Sequence, residues 1–312
     1  MTAAEHDAGA FTELRPLLFS IAYRMLGSVS DAEDVVQEAF LRWRRARVDG
    51  AVVESPKAYL SAVVTRLAID ELRSARARRE TYVGQWLPEP LLTDGGADDP
   101  AALAEHADSL SMAFLLVLER LTPAERAVFL LHDVFGYGYD EVAPIVGRTE
   151  SNCRQIALRA RRHVEAGKPR FEASRAERDE LAERFFAAAG AGDVGGLVEL
   201  LAADVVVVGD GGGKAPQWGR PIVGASRVAR LFVGLARRMA RLGATFEPRE
   251  VNGQPGAIVR APDGLVVNVL SIEVSGGAIQ SIRSVINPDK LGHIGPVADA
   301  WALLREERDA AG

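Results

Sequence analysis

A helical N-terminal half followed by an α+β C-terminal domain is the architecture that this 312-residue sequence predicts, on three observations. Apolar residues recur at helical spacing, behind recognisable capping signals, over most of the first 166 residues. Residues 86–108 then break the pattern with three prolines, six acidic residues and no Lys or Arg, a composition suited to a linker. Beyond residue 200, short β-branched runs alternate with Asn-Gly, Asp-Gly and Gly-Gly pairs, the signature of hairpins.

The first helical block opens with a capping box expected at Ser30 and Glu33, in which the serine hydroxyl accepts an amide and the carboxylate reaches back. Behind it Val35, Val36, Ala39, Phe40 and Trp43 share an apolar face, and Asp31, Glu33, Asp34, Gln37 and Glu38 fall on polar surface. Ser55 and Pro56 start the next helix, which carries Leu60, Val63, Val64, Leu67 and Leu72 and ends in Arg73, Arg76, Arg78 and Arg79. After the linker, Thr122, Pro123 and Glu125 cap a further helix, and residues 139–164 read as helix, glycine turn, helix. Past Lys168 come two short helices, a strand at "DVVVV", a longer helix over "GASRVARLFVGLARRMARL" and four strands. Pro144 lies near enough to its helix start to cost at most one backbone hydrogen bond.

Composition sets outer bounds. An apolar fraction of 48% with 26% charged residues is that of an ordinary globular chain, and the length suits more than one domain. Five histidines show no metal-ligand spacing, and Cys153 has no internal partner, so neither a metal nor a disulfide is expected. No leader and no long apolar run is evident, which points to the cytoplasm and away from a membrane. The net charge of -6 hides an asymmetry: over residues 148–170, basic residues outnumber acidic ones seven to two.

That basic stretch lies on the last helix before residue 168. At about 100° per residue, Cys153, Ile156, Ala157, Ala160 and Val164 share one face and should pack inward. Ser151, Gln155, Leu158, Arg159 and Arg162 then face outward, flanked by Asn152 and Arg154. Such a helix suits a DNA major groove: Gln and Asn pair with adenine edges, Arg with guanine, and Leu touches a thymine methyl. The competing reading is an arginine-rich solvated surface. Cys153, on an otherwise apolar face, is expected to be buried filler and not a redox sensor.

Three segments together, "DAEDVVQEAFLRW", "SPKAYLSAVVTRLAIDELRSARARRE" and "LTPAERAVFLLHDVFGYGYDEVAPIVGRTESNCRQIALRARR", resemble in order and spacing the bacterial extracytoplasmic-function RNA polymerase sigma factors. The resemblance implies two all-α sigma domains, region 2 over residues 8–82 and region 4 over 109–168, joined by an acidic linker over 83–108. It implies that Asp31, Glu33, Asp34, Gln37, Glu38, Phe40 and Leu41 bind core RNA polymerase. It likewise assigns the minus-10 promoter element to Lys57, Tyr59, Arg66, Asp70, Arg73 and Arg76, and the minus-35 element to the outward residues of the last helix. Ser151 and Asn152 stand where the family usually has a small residue and threonine, so promoter preference does not carry over.

Residues 175–288 resemble a SnoaL-like domain, a cone of helices around a curved sheet with an interior pocket, followed by a tail over 289–312. A subgroup of these sigma factors carries such an extension, and three stretches match its marks: "WLPEPL" with Trp86 and Pro88, "DGGGKAP" with Asp210, Gly211, Gly212, Gly213 and Lys214, and "NPDKL" with Asn287, Pro288, Asp289 and Lys290. The resemblance implies that the extension modulates the sigma domains in cis, with an unknown small ligand as a further partner, no cofactor and no catalytic residue.

Two other functions fit parts of the chain. A ligand-responsive helix-turn-helix regulator leaves the first 80 residues without a role. A SnoaL-like enzyme fused to a DNA-binding module would need an acidic base, for which Asp204 and Asp210 are present without a persuasive partner. The glycine-lysine turn is not a phosphate loop, because Val208 stands where the first glycine should be and Ala215 replaces the hydroxyl residue. It is expected to be a docking loop, presenting Asp210 and Lys214 to a neighbour, through which the extension holds the sigma domains and the linker near "WLPEPL"; a plain hairpin turn is the alternative.

Overall fold

The computed structural model describes residues 3–94, 110–166 and 173–311, with side chains described over 9–74, 81–94, 110–166 and 173–306. The described chain forms two compact units, residues 3–80 with 110–166, and residues 81–94 with 173–311.

The first unit is helical: α1 (Ala3–Leu26), α2 (Val29–Val48), α3 (Pro56–Glu80), α4 (Met112–Leu118), α5 (Pro123–Phe129), α6 (Tyr139–Val146) and α7 (Glu150–Glu165). A single π turn, Leu130–Val134, continues α5. The cap of α2 is Ser28, whose hydroxyl accepts the Asp31 amide at 3.1 Å, and not Ser30. Glu33, freed from the expected capping box, pairs instead with Arg15 at 2.7 Å. The other expected caps are in place: Ser55 accepts the Ala58 amide, and Thr122 and Glu125 form a full capping box.

Two buried arginines brace this unit. Arg126 donates to the carbonyls of Met25 at 2.6 Å and Leu118 at 2.7 Å and pairs with Glu119 at 2.8 Å, which satisfies carbonyls at two helix ends. Burial pushes its pKa down to about 9. Arg24 bonds Ser20 and lies over the Phe135 ring at 5.5 Å, and burial pushes its pKa down to about 10. Both remain cationic near neutrality, tying α1 to the chain after residue 110.

The second unit is a six-stranded sheet with helices against it. Helices α8 (Arg175–Ala191) and α9 (Val194–Leu200) precede β1 (Leu201–Asp210) and the short β2 (Ile222–Val223). Next come α10 (Ala225–Arg241), β3 (Thr245–Val251), β4 (Gln254–Arg260), β5 (Val266–Ser275) and β6 (Ala278–Val285), then a 3-10 turn at Pro288–Lys290 and α11 (Ala300–Ala311). The strand runs three residues further upstream than "DVVVV" suggested, and α8, at 17 residues, is not short. Phe185, Leu197, Val205, Val228, Ile272 and Ile282 centre the core.

Strand order is β2-β1-β6-β5-β4-β3, antiparallel except for the parallel pair β1–β6. That pair decides where two loops go. Parallel strands end on the same side, and here Asp210 is level with Val285. The loops "DGGGKAP" and "NPDKL", far apart in sequence, therefore leave the sheet side by side, and the Asp210 carbonyl accepts the amides of Ile286 and Asn287 at 2.9 and 3.0 Å.

Candidate functional site

Of the linker expected over 83–108, residues 95–108 lie outside the described residues, and residues 81–94 belong to the sheet unit and lie along it as a strap. Leu87, Pro88, Glu89 and Pro90 are buried. Prolines suit this role because they fix φ and leave no amide to satisfy. At one end Asp210, fully buried, collects four donors: Tyr82 Oη at 2.5 Å and Gly212 N at 3.1 Å on Oδ1, and Leu87 N at 2.8 Å and Lys290 Nζ at 2.7 Å on Oδ2. Lys290 donates a second bond to Leu87 O at 2.5 Å, with its ammonium 4.5 Å from the Trp86 ring centre and 4.9 Å from that of Tyr82. A lysine buried this deeply needs both a carboxylate and aromatic faces.

Asn287 completes the ring by donating to Tyr82 Oη at 2.8 Å while its own carbonyl accepts the Asp289 amide at 3.2 Å. Burial first, and then the hydrogen bond and charge of Asp210, push the Tyr82 phenol well above its ordinary range, so it stays a donor. The glycines serve close approach: Gly212 has φ 58° and a Cβ there would meet Asn287 Nδ2, and Gly213 has φ 72° with Val83 against it. Lys214, expected to face a neighbouring segment, pairs instead with exposed Asp289 at 2.6 Å, and it is Lys290 that bonds the strap.

The far end of the strap is held by residues that no motif flagged. Leu91 N donates to Asn252 Oδ1 at 3.0 Å and Asn252 N donates to Leu91 O at 2.7 Å. Asn252 has φ 55°, which fits the Asn-Gly turn already expected between β3 and β4. Thr93 and Asp94 bond Glu250, Gly253 and Arg249, with Arg249 to Asp94 at 2.8 Å. His293 approaches Pro90 O at 2.7 Å.

On the helical unit, Cys153, Ile156, Ala157, Ala160 and Val164 are buried, and Ser151, Asn152, Arg154, Gln155, Leu158, Arg159 and Arg162 are exposed. Gly147, at φ 66°, ends α6 in the left-handed turn before α7. Arg154 is partly engaged, pairing with Glu150 at 2.8 Å and lying over the Tyr139 ring. On α2, Asp34, Gln37 and Leu41 are exposed; Asp31, Glu33 and Glu38 are half-buried; and the Phe40 ring lies tilted against Phe11, with centroids 4.5 Å apart.

Helix α3 presents its expected promoter residues less freely. Arg66 donates to Pro144 O at 2.7 Å and Ile145 O at 3.2 Å, Lys57 lies 5.5 Å from the Tyr137 ring centre, and buried Ser61 bonds Tyr137 Oη at 2.7 Å. Tyr59 is half-buried, and Asp70 and Arg73 pair with each other at 3.0 Å on the exposed side. The Arg76, Arg78 and Arg79 side chains lie outside the described residues. Asp204 is exposed, and the Asp210 carboxylate is occupied by its four donors. Among the described residues no helix is long and apolar enough to cross a membrane, and no acidic, His or Cys cluster has metal-binding form.

Residues 10–78 match the Sigma-70 region 2 family and residues 111–164 match Sigma-70, region 4. The chain is 40% identical to the ECF RNA polymerase sigma factor SigJ of Mycobacterium tuberculosis H37Rv over 293 residues, covering 91% of this chain and 93% of that protein. It is 33% identical to the probable ECF RNA polymerase sigma factor SigI of the same species, over 92% of this chain and 96% of the relative. The crystal structure of M. tuberculosis SigJ superposes with a TM-score of 0.74 at 38% identity, covering 93% of this chain and all of that one.

Proposed function

The chain belongs to the extracytoplasmic-function RNA polymerase sigma factors, and from that membership we propose that its C-terminal domain sets sigma activity in cis by gripping the segment between region 2 and region 4. As a sigma factor it acts in transcription initiation, with core RNA polymerase and promoter DNA as partners and the cytoplasm as its place of action. The observation that carries the cis reading is the strap: residues 81–94 run between the two sigma regions in sequence yet fold with the extension. Releasing residues 81–94 from the extension would loosen the tie between the two promoter-binding regions.

Within this reading the α2 face around Asp31, Asp34, Gln37 and Leu41 docks on core polymerase. Lys57, Tyr59, Arg66, Asp70, Arg73 and Arg76 act at the minus-10 element, and the outward face of α7 reads the minus-35 element. Arg66 and Lys57 must leave their contacts near α6 before they can meet DNA, which makes the closed arrangement of the helical unit a resting state. The extension is read as non-catalytic, a reading that follows from membership of the sigma factors, whose part in initiation is to direct the polymerase.

The test is reconstituted transcription with core polymerase on the region upstream of the chain's own operon. Full-length protein is compared with truncations ending at Lys168 and just before Asn287. Initiation by the full chain with altered output from the truncations is expected. Equal output from all three removes the cis role, and no initiation at any candidate promoter removes promoter use at its own operon.

A further inference from the structure

The sheet unit holds a partly open cavity of about 430 Å³, within the range of small-molecule sites. It lies between α8, α10, α11 and the inner face of the sheet, with Phe186, Trp218, Phe232, Met239, Phe246 and Leu303 among its walls. Arg238 is the one charged lining residue among the described residues, and no acidic group lines the cavity. The polar groups are gathered in one cluster. Gln217 Nε2 donates to Ser284 Oγ at 3.2 Å, and Asn268 Nδ2 donates to the same oxygen at 2.9 Å. Gln217 Oε1 accepts the Trp218 amide at 3.1 Å, and the Ser284 hydroxyl in turn has Asn268 Oδ1 at 3.2 Å.

This cluster is built on a missing side chain. Gly209 pairs with Ser284 across β1 and β6, and a Cβ at Gly209 would lie 2.0 Å from Gln217 Cδ and 2.3 Å from its Nε2. Only bare backbone at that position lets the glutamine amide lie over the sheet. Each primary amide carries two N–H groups, and the Ser284 oxygen takes one from each. The second from Gln217 reaches only Ser284 O, at 3.5 Å, a weak contact. One end of an otherwise hydrocarbon cavity therefore presents amide protons suited to an acceptor oxygen.

We propose that this cavity binds a neutral, largely hydrocarbon small molecule bearing a carbonyl-type oxygen, held at that oxygen by Gln217 and Asn268. The apolar walls disfavour an ionised ligand: among the described lining residues there is no acidic partner for a cation, and the single cationic residue, Arg238, is already engaged. The ligand's hydrocarbon body fills the space between the aromatic walls, and its oxygen replaces water at the amides. Gln217 sits on the chain directly after "DGGGKAP", so ligand site and strap site share one loop.

The experiment titrates the full chain with prodan, a neutral naphthyl ketone whose emission moves to the blue in a dry environment, and measures binding separately from transcription. Saturable one-to-one binding with a blue shift is expected. Displacement by dimethylaminonaphthalene, the carbonyl-free analogue, should need roughly tenfold more ligand, the value of about one hydrogen bond. Ala236→Trp, which fills the cavity from α10, should abolish binding, and Gln217→Leu should erase the preference for the ketone. No saturable shift, full binding by a folded Ala236→Trp protein, or an unchanged ketone preference in Gln217→Leu each overturns the proposal. The Gln217→Leu comparison stands by itself if Ala236→Trp does not fold.

Discussion

Lys290 Nζ lies 2.7 Å from Asp210 Oδ2, with the two side chains 8% and 0% exposed. A pair this buried is costly to assemble and costlier to break, because the remaining charge has no water to fall back on. It is the point at which the strap, the glycine loop and the "NPDKL" turn meet.

Lys290→Met leaves the Asp210 carboxylate buried without its cation, which should weaken docking of the strap by about 3–5 kcal/mol. Hydrogen exchange over residues 82–94 should rise by orders of magnitude and transcription should change. Lys214→Glu breaks only the exposed pair with Asp289, worth within about 1 kcal/mol, and should leave strap protection nearly intact.

Strap docking should also weaken in acid through Asp94. Burial alone would raise its pKa, but the Arg249 guanidinium and the Glu250 amide outweigh it and hold the carboxyl below its ordinary 3.8. A carboxyl depressed in the folded state contributes stability that is full above the unfolded pKa and lost as pH falls through the folded one. Comparing exchange of residues 82–94 in native protein and Asp94→Asn from neutral pH downward isolates this contribution. The native strap should lose more protection below about pH 4 than the variant does.

Ser61→Ala strips the partner from the Tyr137 hydroxyl, which is half of a buried pair between α3 and the chain before α6. The unsatisfied phenol should cost about 1–3 kcal/mol of thermal stability, and Tyr137→Phe on the same background should recover part of it. A double-mutant cycle between the two gives the coupling directly. Additive effects would show that the contact does not hold the helical unit closed.

On α7, Gln155→Ala should relax promoter preference at one base step by about 1–3 kcal/mol, as loss of a bidentate base contact does. Arg162→Ala should instead weaken binding equally on all sequences and flatten its salt dependence. Binding assays on a panel of minus-35 variants separate the two. Uniform loss in both proteins would remove Gln155 from the readers.

Cys153 is fully buried and its thiol pKa is raised by that burial. Thiolate is the reactive form, so alkylation of the native chain by iodoacetamide should be slow and limited by opening of the α7 core. Fast labelling without denaturant would show that α7 is loosely held.

The inward face of α7 was legible from periodicity because a helix of 3.6 residues per turn places Cys153, Ile156, Ala157, Ala160 and Val164 on one side whatever surrounds it. The caps at Ser55 and Thr122 were legible for the same local reason, whereas at Ser28 and Ser30 two hydroxyls compete and only the position of α1 with Arg15 drew Glu33 away. Asn252 could be found from sequence as the first residue of an Asn-Gly turn, but not as a clasp for Leu91.

Sequence by itself determined the element types, the outward face of α7 and the three short marks of the extension, since each depends on residues within a turn or two of one another, and it determined the family, which rests on the order and spacing of three segments along one chain. Tertiary structure decided what the marks do. The parallel β1–β6 register sets Asp210 beside Asn287, and burial makes Lys290 and not Lys214 the cation that holds the strap. Two lysines after two similar turns carry the same charge in sequence. Only their exclusion from water, or their access to it, separates a structural clasp from a surface pair.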